Sequence, residues 1–232
     1  MLEFYTAPAP NGWKIAIMLE ECGLPYQPHL VNLLEGEQFR ADYLAKNPNG
    51  KIPTLVDRQP TGGGPAITVF ESGAILLYLA EKAGRFLPED IRGRSAVHQW
   101  LFWQVGGLGP MLGQHGHFAL YAPEQIPYAV ERYRRETLRL YGVLEQALSA
   151  SEYVALPQYS VADMACFPWV QTYRAQGIDL DDFPRVRAWY ERLKQRPALR
   201  RGMDLGRELL SARPQDHPRG RKLLYGINEG DA

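Results

Sequence analysis

The 232-residue chain has only two cysteines, too few for a disulfide framework, so we expect a reducing, cytoplasmic compartment. It has no net charge, because 26 basic residues balance 26 acidic ones, which argues against bulk attraction to nucleic acid or to an anionic membrane. It also lacks an apolar run of about 18 residues and a basic, apolar signal region at its start. We therefore expect a globular protein whose partners are neither nucleic acids nor membranes.

Cysteine chemistry and metal binding find little support in the sequence. Cys22 and Cys166 both lie in apolar helical patterns, where free cysteine is usually a buried, inert thiol. His115 and His117 are two residues apart, but no cysteine or acidic residue beside them completes a set of metal ligands. We expect neither a catalytic cysteine nor a metal site.

Residues 1–84 alternate between strand and helix patterns and predict an α/β domain. The β-branched runs PTLVD and AITVF flank a loop rich in proline and glycine, which is typical of a hairpin. The complete order is βαβ-α-ββα, from the segments LEFYT, NGWKIAIMLEEC, YQPHLVNL, EQFRADYLAKNP, PTLVD, AITVF and ESGAILLYLAEKAG. This order predicts a four-stranded sheet with helices on its faces, the thioredoxin-like arrangement.

The rest of the chain predicts an all-α domain. Residues 85–91 form a proline-containing linker, and residues 92–210 have helical periodicity with no convincing strand. Ser160 precedes Asp163 by three residues, which is a helix-start signal. The glycine-rich run 106–109 is expected to interrupt a long aromatic helix.

The C-terminal end is the least regular part of the sequence. A final helix is predicted over 183–196, ended by Pro197, because proline does not continue a helix. Residues 211–232 predict an irregular tail, either loosely ordered or lying on the body of the protein through apolar residues such as Leu223 and Leu224.

Several separated motifs resemble the cytosolic glutathione transferases. NPNGKIPTLVD resembles the loop before that family's cis-proline, FESGAILLYLAE its glutamate-serine helix start, and YSVADMACFPWV its capping motif in the helical domain. More narrowly, APAPNGWKIAIMLEE, QWLFWQVGGLGPMLGQ and IPYAVERYRRE resemble the nu class, the bacterial glutathione-dependent disulfide-bond oxidoreductases. The resemblance extends from residue 2 to about residue 200 and leaves out only the tail.

The resemblance implies a glutathione site in the first domain. A cis peptide between Ile52 and Pro53 would present the Ile52 backbone to the cysteinyl unit like an added strand. Glu71 would bind the ammonium of the γ-glutamyl unit, and Ser72, at a helix start, its carboxylate. The resemblance also implies a homodimer and adds Gln38, Lys51 and Arg132 as candidates for the glycyl end, with Gln104 reaching the partner's site.

The stretch YTAPAPNGWK, between the first strand and the first helix, contains no cysteine, serine or acid. A thiol with a pKa of about 8.5 is only a few per cent ionised at neutral pH, so the sulfur of glutathione needs N–H and O–H donors. The resemblance implies that Asn11 is the catalytic residue that stabilises this thiolate. Ala9 stands where the nu class usually has threonine, and backbone N–H groups or Thr6 are alternatives for the missing hydroxyl.

The leading hypothesis is a glutathione-dependent disulfide-bond reductase that acts by thiol–disulfide exchange. Glutathione is then a co-substrate and the nucleophile, no metal takes part, and the other substrate is a small disulfide. Two alternatives use the same site: a transferase that conjugates glutathione to electrophiles, and a non-catalytic glutathione-binding regulatory module. Ala9 slightly favours the regulatory module, whereas Asn11, Gln38, Glu71, Ser72 and Arg132 count against it.

Overall fold

The computed structural model describes residues 1–211 and 217–226. Two compact units make up the chain. The first contains Met1–Ala83 and the described residues from Arg201 onward, and the second is Gly84–Arg200. The sequence predicts a boundary at residue 84 and a helical domain that continues to residue 210, whereas the structure groups the residues after Arg200 with the first unit.

The first unit is built on a four-stranded sheet, as predicted, and its strands have the spatial order β2-β1-β3-β4. Strand β1 is parallel to β2, whereas β3 runs antiparallel to both β1 and β4. Phe4 and Leu55 are fully buried on this sheet. The strands are Leu2–Thr6 (β1), Tyr26–Leu30 (β2), Thr54–Asp57 (β3) and Ile67–Phe70 (β4).

Three α-helices accompany the sheet: α1 (Pro10–Cys22), α2 (Ala41–Leu44) and α3 (Ser72–Ala83). Helices α1 and α3 pack against each other. The single short helix predicted over residues 37–48 is wrong in extent: a 3₁₀ turn covers Glu37–Phe39, and Arg40 then has an extended backbone, with ψ 147°, that separates it from α2.

A buried carboxylate ties α3 to the end of β3. Asp57 is 0% exposed and accepts hydrogen bonds from Lys82 Nζ, Tyr78 OH and the Gln59 backbone N–H, each at 2.8 Å. Burial by itself would raise the pKa of Asp57, but these bonds outweigh it and hold the pKa below its usual range. The network fixes the C-terminal half of α3, the helix that Ser72 begins.

The second unit is helical. Where the sequence predicts an interruption at the glycine run, the structure has a π-helical turn, Gln104–Leu108, which joins two helices directly. A second π-helical turn follows at His117–Tyr121. The helices are α4 (Ile91–Trp103), α5 (Gly109–Gly116), α6 (Pro127–Ala150), α7 (Val161–Val170) and α8 (Pro184–Lys194).

The start of α7 has the capping box that the sequence predicts. The side chain of Ser160 accepts from the Ala162 N–H, and the buried Asp163 carboxylate accepts from the Ser160 N–H at 3.0 Å. Asp163 also accepts from Trp189 Nε1 at 2.9 Å, which ties α7 to α8. Burial raises the pKa of Asp163.

The C-terminal end differs from the sequence prediction. Pro197 begins a further helix, α9 (Pro197–Asp204), because a first helical residue needs no N–H. Part of the predicted irregular tail is also helical, α10 (Pro218–Tyr225), and Leu223 in it lies against Gly36. Residues 212–216 and 227–232 of the predicted tail lie outside the described residues. Within the described ranges, no helix is long and apolar enough to cross a membrane.

Candidate functional site

The strand register brings four segments to one edge of the sheet. Thr54, at the start of β3, pairs with Tyr5 near the end of β1 and with Phe70 at the end of β4. The parallel pairing of Thr6 with Leu30 places the end of β2 at the same edge. The segments at this edge therefore carry Asn11 after β1, Gln38 after β2, Lys51 to Pro53 before β3, and Glu71 with Ser72 after β4.

Asn11 lies in the first turn of α1. Ala9 is the N-cap residue, with extended backbone (φ −143°, ψ 159°) and no side-chain cap hydrogen bond. The first intrahelical bond runs from the Trp13 N–H to the Ala9 carbonyl at 3.0 Å. Backbone amides of a first helical turn have no intrahelical acceptor and lie at the positive end of the helix dipole. This turn therefore suits an anion.

Gly12 allows the close approach of α1 to the preceding turn. A Cβ atom at Gly12 would lie 2.4 Å from both the Ala7 carbonyl oxygen and Thr6 Oγ1. Thr6 is buried, and its hydroxyl donates to the Ala7 carbonyl at 3.3 Å. Thr6 thus supports the turn, and the alternative that it replaces the missing hydroxyl of position 9 gains no support.

Two side-chain hydrogen bonds to the Lys51 carbonyl fix the loop before β3. Tyr43 OH and Asn47 Nδ2 both donate to the Lys51 carbonyl at 2.7 Å, and the Lys51 side chain is exposed. The Ile52–Pro53 peptide bond is cis. Among the described residues, none forms a hydrogen bond with the Ile52 backbone N–H or C=O. This backbone is therefore available to an extended peptide ligand.

Glu71 and Ser72, immediately before and at the start of α3, are placed where they can bind a charged group. Glu71 is an exposed residue in the left-handed backbone region, with φ 71°, a conformation that in non-glycine residues is concentrated at functional sites. Its Oε1 accepts from Asn49 Nδ2 at 3.4 Å. Ser72, 6% exposed, begins α3 directly after it.

Lys14 belongs to this site, although the sequence reasoning did not single it out. It is only 1% exposed, and its Nζ donates to Ser72 Oγ at 3.1 Å. The available signal was its position three and four residues before Ile17 and Met18, on the face of α1 that is fully buried. A lysine on a buried face is rare unless it is paired.

Gln38 is 2% exposed, in the short 3₁₀ turn after β2. Its Nε2 donates to the Leu33 carbonyl at 3.4 Å, whereas its Oε1 is buried without a hydrogen-bond partner among the described residues. A buried amide oxygen without a partner is costly, and a bound donor would relieve that cost. Helix α10 lies on the segment that precedes Gln38, where Arg219 pairs with Glu35 at 2.8 Å.

Two predicted residues lie in the second unit. Arg132, on α6, lines a cleft of about 610 Å³ together with Met111 and Tyr128. Gln104 is 0% exposed, and a Cβ atom at Gly109 would lie 2.9 Å from its Nε2. This buried position gives no support to the prediction that Gln104 reaches a partner subunit's site.

Neither cysteine lies in the segments that form the sheet edge. Cys22 is the last residue of α1, eleven residues after Asn11, which is about 16 Å along a helix, and Cys166 is buried on α7. In the described ranges, no group of three or more His, Cys, Asp or Glu side chains is arranged to hold a metal ion. The segments that form the sheet edge therefore carry donors and charges but contain no cysteine.

Comparison with known proteins identifies the family to which this chain belongs. Residues 9–82 match the glutathione S-transferase N-terminal domain, and residues 109–197 match the glutathione S-transferase C-terminal domain. The chain belongs to the glutathione S-transferase family, which confirms the resemblance seen in its sequence. The narrower assignment to the nu class stays a prediction.

The relatives include proteins with named redox activity and bound glutathione. The chain is 54% identical over 198 residues to the disulfide-bond oxidoreductase YfcG of Escherichia coli (strain K12), covering 85% of this chain and 92% of that protein. A glutathione transferase of Burkholderia graminis, solved with two glutathione molecules per subunit, has a TM-score of 0.83 at 42% identity and 88% coverage of both chains. One of Pseudomonas putida, solved with one glutathione disulfide per subunit, has a TM-score of 0.84 at 39% identity, covering 88% of this chain and 91% of that one.

Gly12→Ala should lower the free energy of unfolding by about 1–3 kcal/mol, the usual cost of forcing an extra methyl group into a packed site. The reason is the 2.4 Å approach of a Cβ atom to the Ala7 carbonyl and Thr6 Oγ1. The matched control is Gly142→Ala, since Gly142 lies inside α6 with open space around it. That change should raise stability by up to about 1 kcal/mol. Urea denaturation of both variants checks this, and an unchanged midpoint for Gly12→Ala would contradict the described turn.

Proposed function

We propose that this protein is a glutathione-dependent disulfide-bond reductase in which bound glutathione is the nucleophile. The observation that carries the proposal is the sheet edge itself, where amide donors at the start of α1 lie beside groups suited to a charged tripeptide. Membership of the glutathione S-transferase family supports it, as do the name of the E. coli relative and the glutathione species in the two solved structures.

Each part of glutathione has a proposed partner at the edge. The Ile52 backbone pairs with the cysteinyl unit, Glu71 binds the γ-glutamyl ammonium, and Ser72 binds the γ-glutamyl carboxylate. The buried Oε1 of Gln38 accepts from a peptide N–H near the glycyl end. We propose Lys51 and Arg132 as counter-charges for the glycyl carboxylate. Gln104 stays a proposed contact with the glutathione that is bound to the partner subunit.

The proposed reaction uses two glutathione molecules. The first, as a thiolate held near Asn11, attacks one sulfur of a disulfide, so that the old S–S bond breaks and one product thiolate leaves and takes up a proton. The mixed disulfide that remains is attacked by the thiolate of the second glutathione. This step releases the other product thiol and glutathione disulfide. Two glutathione molecules thus supply the two electrons that reduce the substrate.

A conjugating transferase is the second candidate, because the matched family is named for that activity and the same thiolate can attack an electrophile. A non-catalytic module is the third, since Ala9 lacks a hydroxyl. Parallel assays with a small disulfide and with an aromatic chloride separate the three. Disulfide reduction at the higher rate supports the proposal, conjugation at the higher rate favours a transferase, and binding of glutathione without either activity favours a module.

A variant without cysteine tests whether the protein supplies a nucleophile. The double variant Cys22→Ala, Cys166→Ala should keep its glutathione-dependent reductase rate within a few fold of the parent, because Cys22 is at the far end of α1 from Asn11 and Cys166 is buried on α7. Thermal unfolding is recorded alongside, since Cys166 is buried. Loss of activity in a folded double variant would show that a protein thiol takes part.

Asn11→Ala should lower the turnover number by about 10- to 1,000-fold, the cost of losing one oriented donor to an anion. Asn11→Asp is the matched control, because a carboxylate in a first helical turn favours the helix but repels a thiolate. We expect Asn11→Asp to be at least as inactive as Asn11→Ala while unfolding at the same temperature as the parent or higher. Steady-state kinetics at saturating glutathione give the comparison.

A substitution at position 9 should change turnover in the opposite direction. Ala9→Thr introduces a hydroxyl at an N-cap with suitable extended backbone, so it should increase turnover and stabilise α1. If Asn11→Ala and Asn11→Asp both retain the parent turnover, the thiolate is held elsewhere and the assignment of this turn is wrong.

We also propose a cytoplasmic homodimer. Apolar side chains on one helix and one edge strand support it: Phe102 and Ile91 are exposed on α4, as are Ile67 and Phe70 on β4. Exposed apolar side chains that form a patch often mark an interface with another protein chain. Sedimentation equilibrium at micromolar concentration should give the mass of two chains, and the mass of one chain would contradict the dimer.

A further inference from the structure

The buried lysine on α1 adds a positive charge to the site proposed for the γ-glutamyl unit. Lys14 is 1% exposed, and a lysine so deeply buried is unfavourable unless its charge is compensated. One of its contacts is the hydroxyl of Ser72, at 3.1 Å. That hydroxyl belongs to the first residue of α3, the residue proposed to bind a carboxylate.

The direction of this hydrogen bond determines what Ser72 can do. An ammonium group can only donate, so Ser72 Oγ accepts from Lys14. A serine hydroxyl has one proton and two lone pairs, so the Ser72 proton remains available to an acceptor other than Lys14. A ligand carboxylate bonded to that proton would lie within about 6 Å of the Lys14 ammonium, where opposite charges attract appreciably.

The charges around Ser72 favour one binding orientation of the γ-glutamyl end. Glu71, immediately before Ser72, is exposed and negative, whereas Lys14, behind Ser72, is buried and positive. The γ-glutamyl end of glutathione carries one ammonium and one carboxylate on the same carbon. This pair of charges favours the ammonium on the Glu71 side and the carboxylate on the Ser72 side, and disfavours the reverse.

We infer that Lys14 is a positioning residue for glutathione: it orients the Ser72 hydroxyl toward the γ-glutamyl carboxylate and supplies the buried counter-charge. This inference rests on the proposed function, because it takes glutathione as the ligand of the sheet edge. It differs from a purely structural role for Lys14, in which the side chain only joins α1 to α3. The two roles make different predictions for ligands that lack one charge.

The experiment compares three ligands by calorimetric titration. They are glutathione, 4-aminobutanoyl-cysteinylglycine, which lacks the γ-glutamyl carboxylate, and glutaryl-cysteinylglycine, which lacks the ammonium. Lys14→Met removes the charge and keeps a long, unbranched side chain. It should weaken glutathione and the glutaryl compound about tenfold to hundredfold, the effect expected for one hydrogen bond to a charged group. It should change the affinity of the aminobutanoyl compound by less than about threefold.

Matched variants separate orientation from charge. Lys14→Gln keeps a donor without a charge and should fall between the parent and Lys14→Met. Lys46→Met removes an exposed lysine of the same unit and should leave all three affinities unchanged. In a double-mutant cycle with Ser72→Ala, the two losses of glutathione affinity should combine to less than their product, because Lys14 acts partly through Ser72.

Each possible result either supports or overturns the proposed role of Lys14 or the proposed function. Equal losses for all three ligands, no loss for glutathione, or losses that multiply fully in the cycle would overturn the role of Lys14. Failure of both Lys14 variants to fold would assign the residue to the fold and also overturn it. Failure of the parent protein to bind glutathione would instead contradict the proposed function, which keeps the two failures distinguishable.

Discussion

The candidate site depends on the register with which β3 pairs with its two neighbouring strands at Thr54. Thr54 is paired on one side with Tyr5 and on the other with Phe70, so the chain leaves β1 and β4 at the edge where it enters β3. In β1 buried residues alternate with half-buried ones, so a shift of one residue would turn Leu2 and Phe4 to the less buried face, and burial therefore specifies this register. The hydrogen bonds of Asp57 at the other end of β3 add to it, because they hold α3 in place.

The chemistry proposed for this edge follows from the lack of a protein nucleophile. A thiol with a pKa of about 8.5 must be stabilised as a thiolate by roughly 2.7 kcal/mol to lower its pKa by two units. Amide N–H groups at the start of α1 and the side chain of Asn11 are donors suited to that task, since they are fixed before the ligand arrives. Gly12 makes the arrangement possible, because any side chain there would collide with the preceding turn.

Local patterns predict much of this structure. The β-branched runs PTLVD and AITVF predict the hairpin strands, and the pairing of Ser160 with Asp163 predicts the start of α7. The sequence predicts less well what depends on tertiary contacts. Pro197 starts a helix instead of ending one, and the segment around Leu223 becomes helical where it lies against Gly36.

In the candidate site, too, sequence motifs predict some of the residues, whereas others depend on tertiary contacts. Asn11, Ile52 and Ser72 are predicted because a resemblance places them in motifs, and the register brings their segments to one edge. Lys14 escapes this reasoning, since its role depends on the packing of α1 against α3. Gln104 shows the opposite case, because its motif suggests a role in binding whereas the packing around Gly109 buries it.

The central claim is that the protein binds glutathione as a thiolate and contributes no thiol of its own. Its most direct test is the pH titration of thiolate absorbance in the complex of glutathione with the variant Cys22→Ala, Cys166→Ala, in which the ligand carries the only thiol. The account predicts a bound thiol that titrates about two pH units below the free value of about 8.5. A bound thiol that titrates at the free value would contradict it.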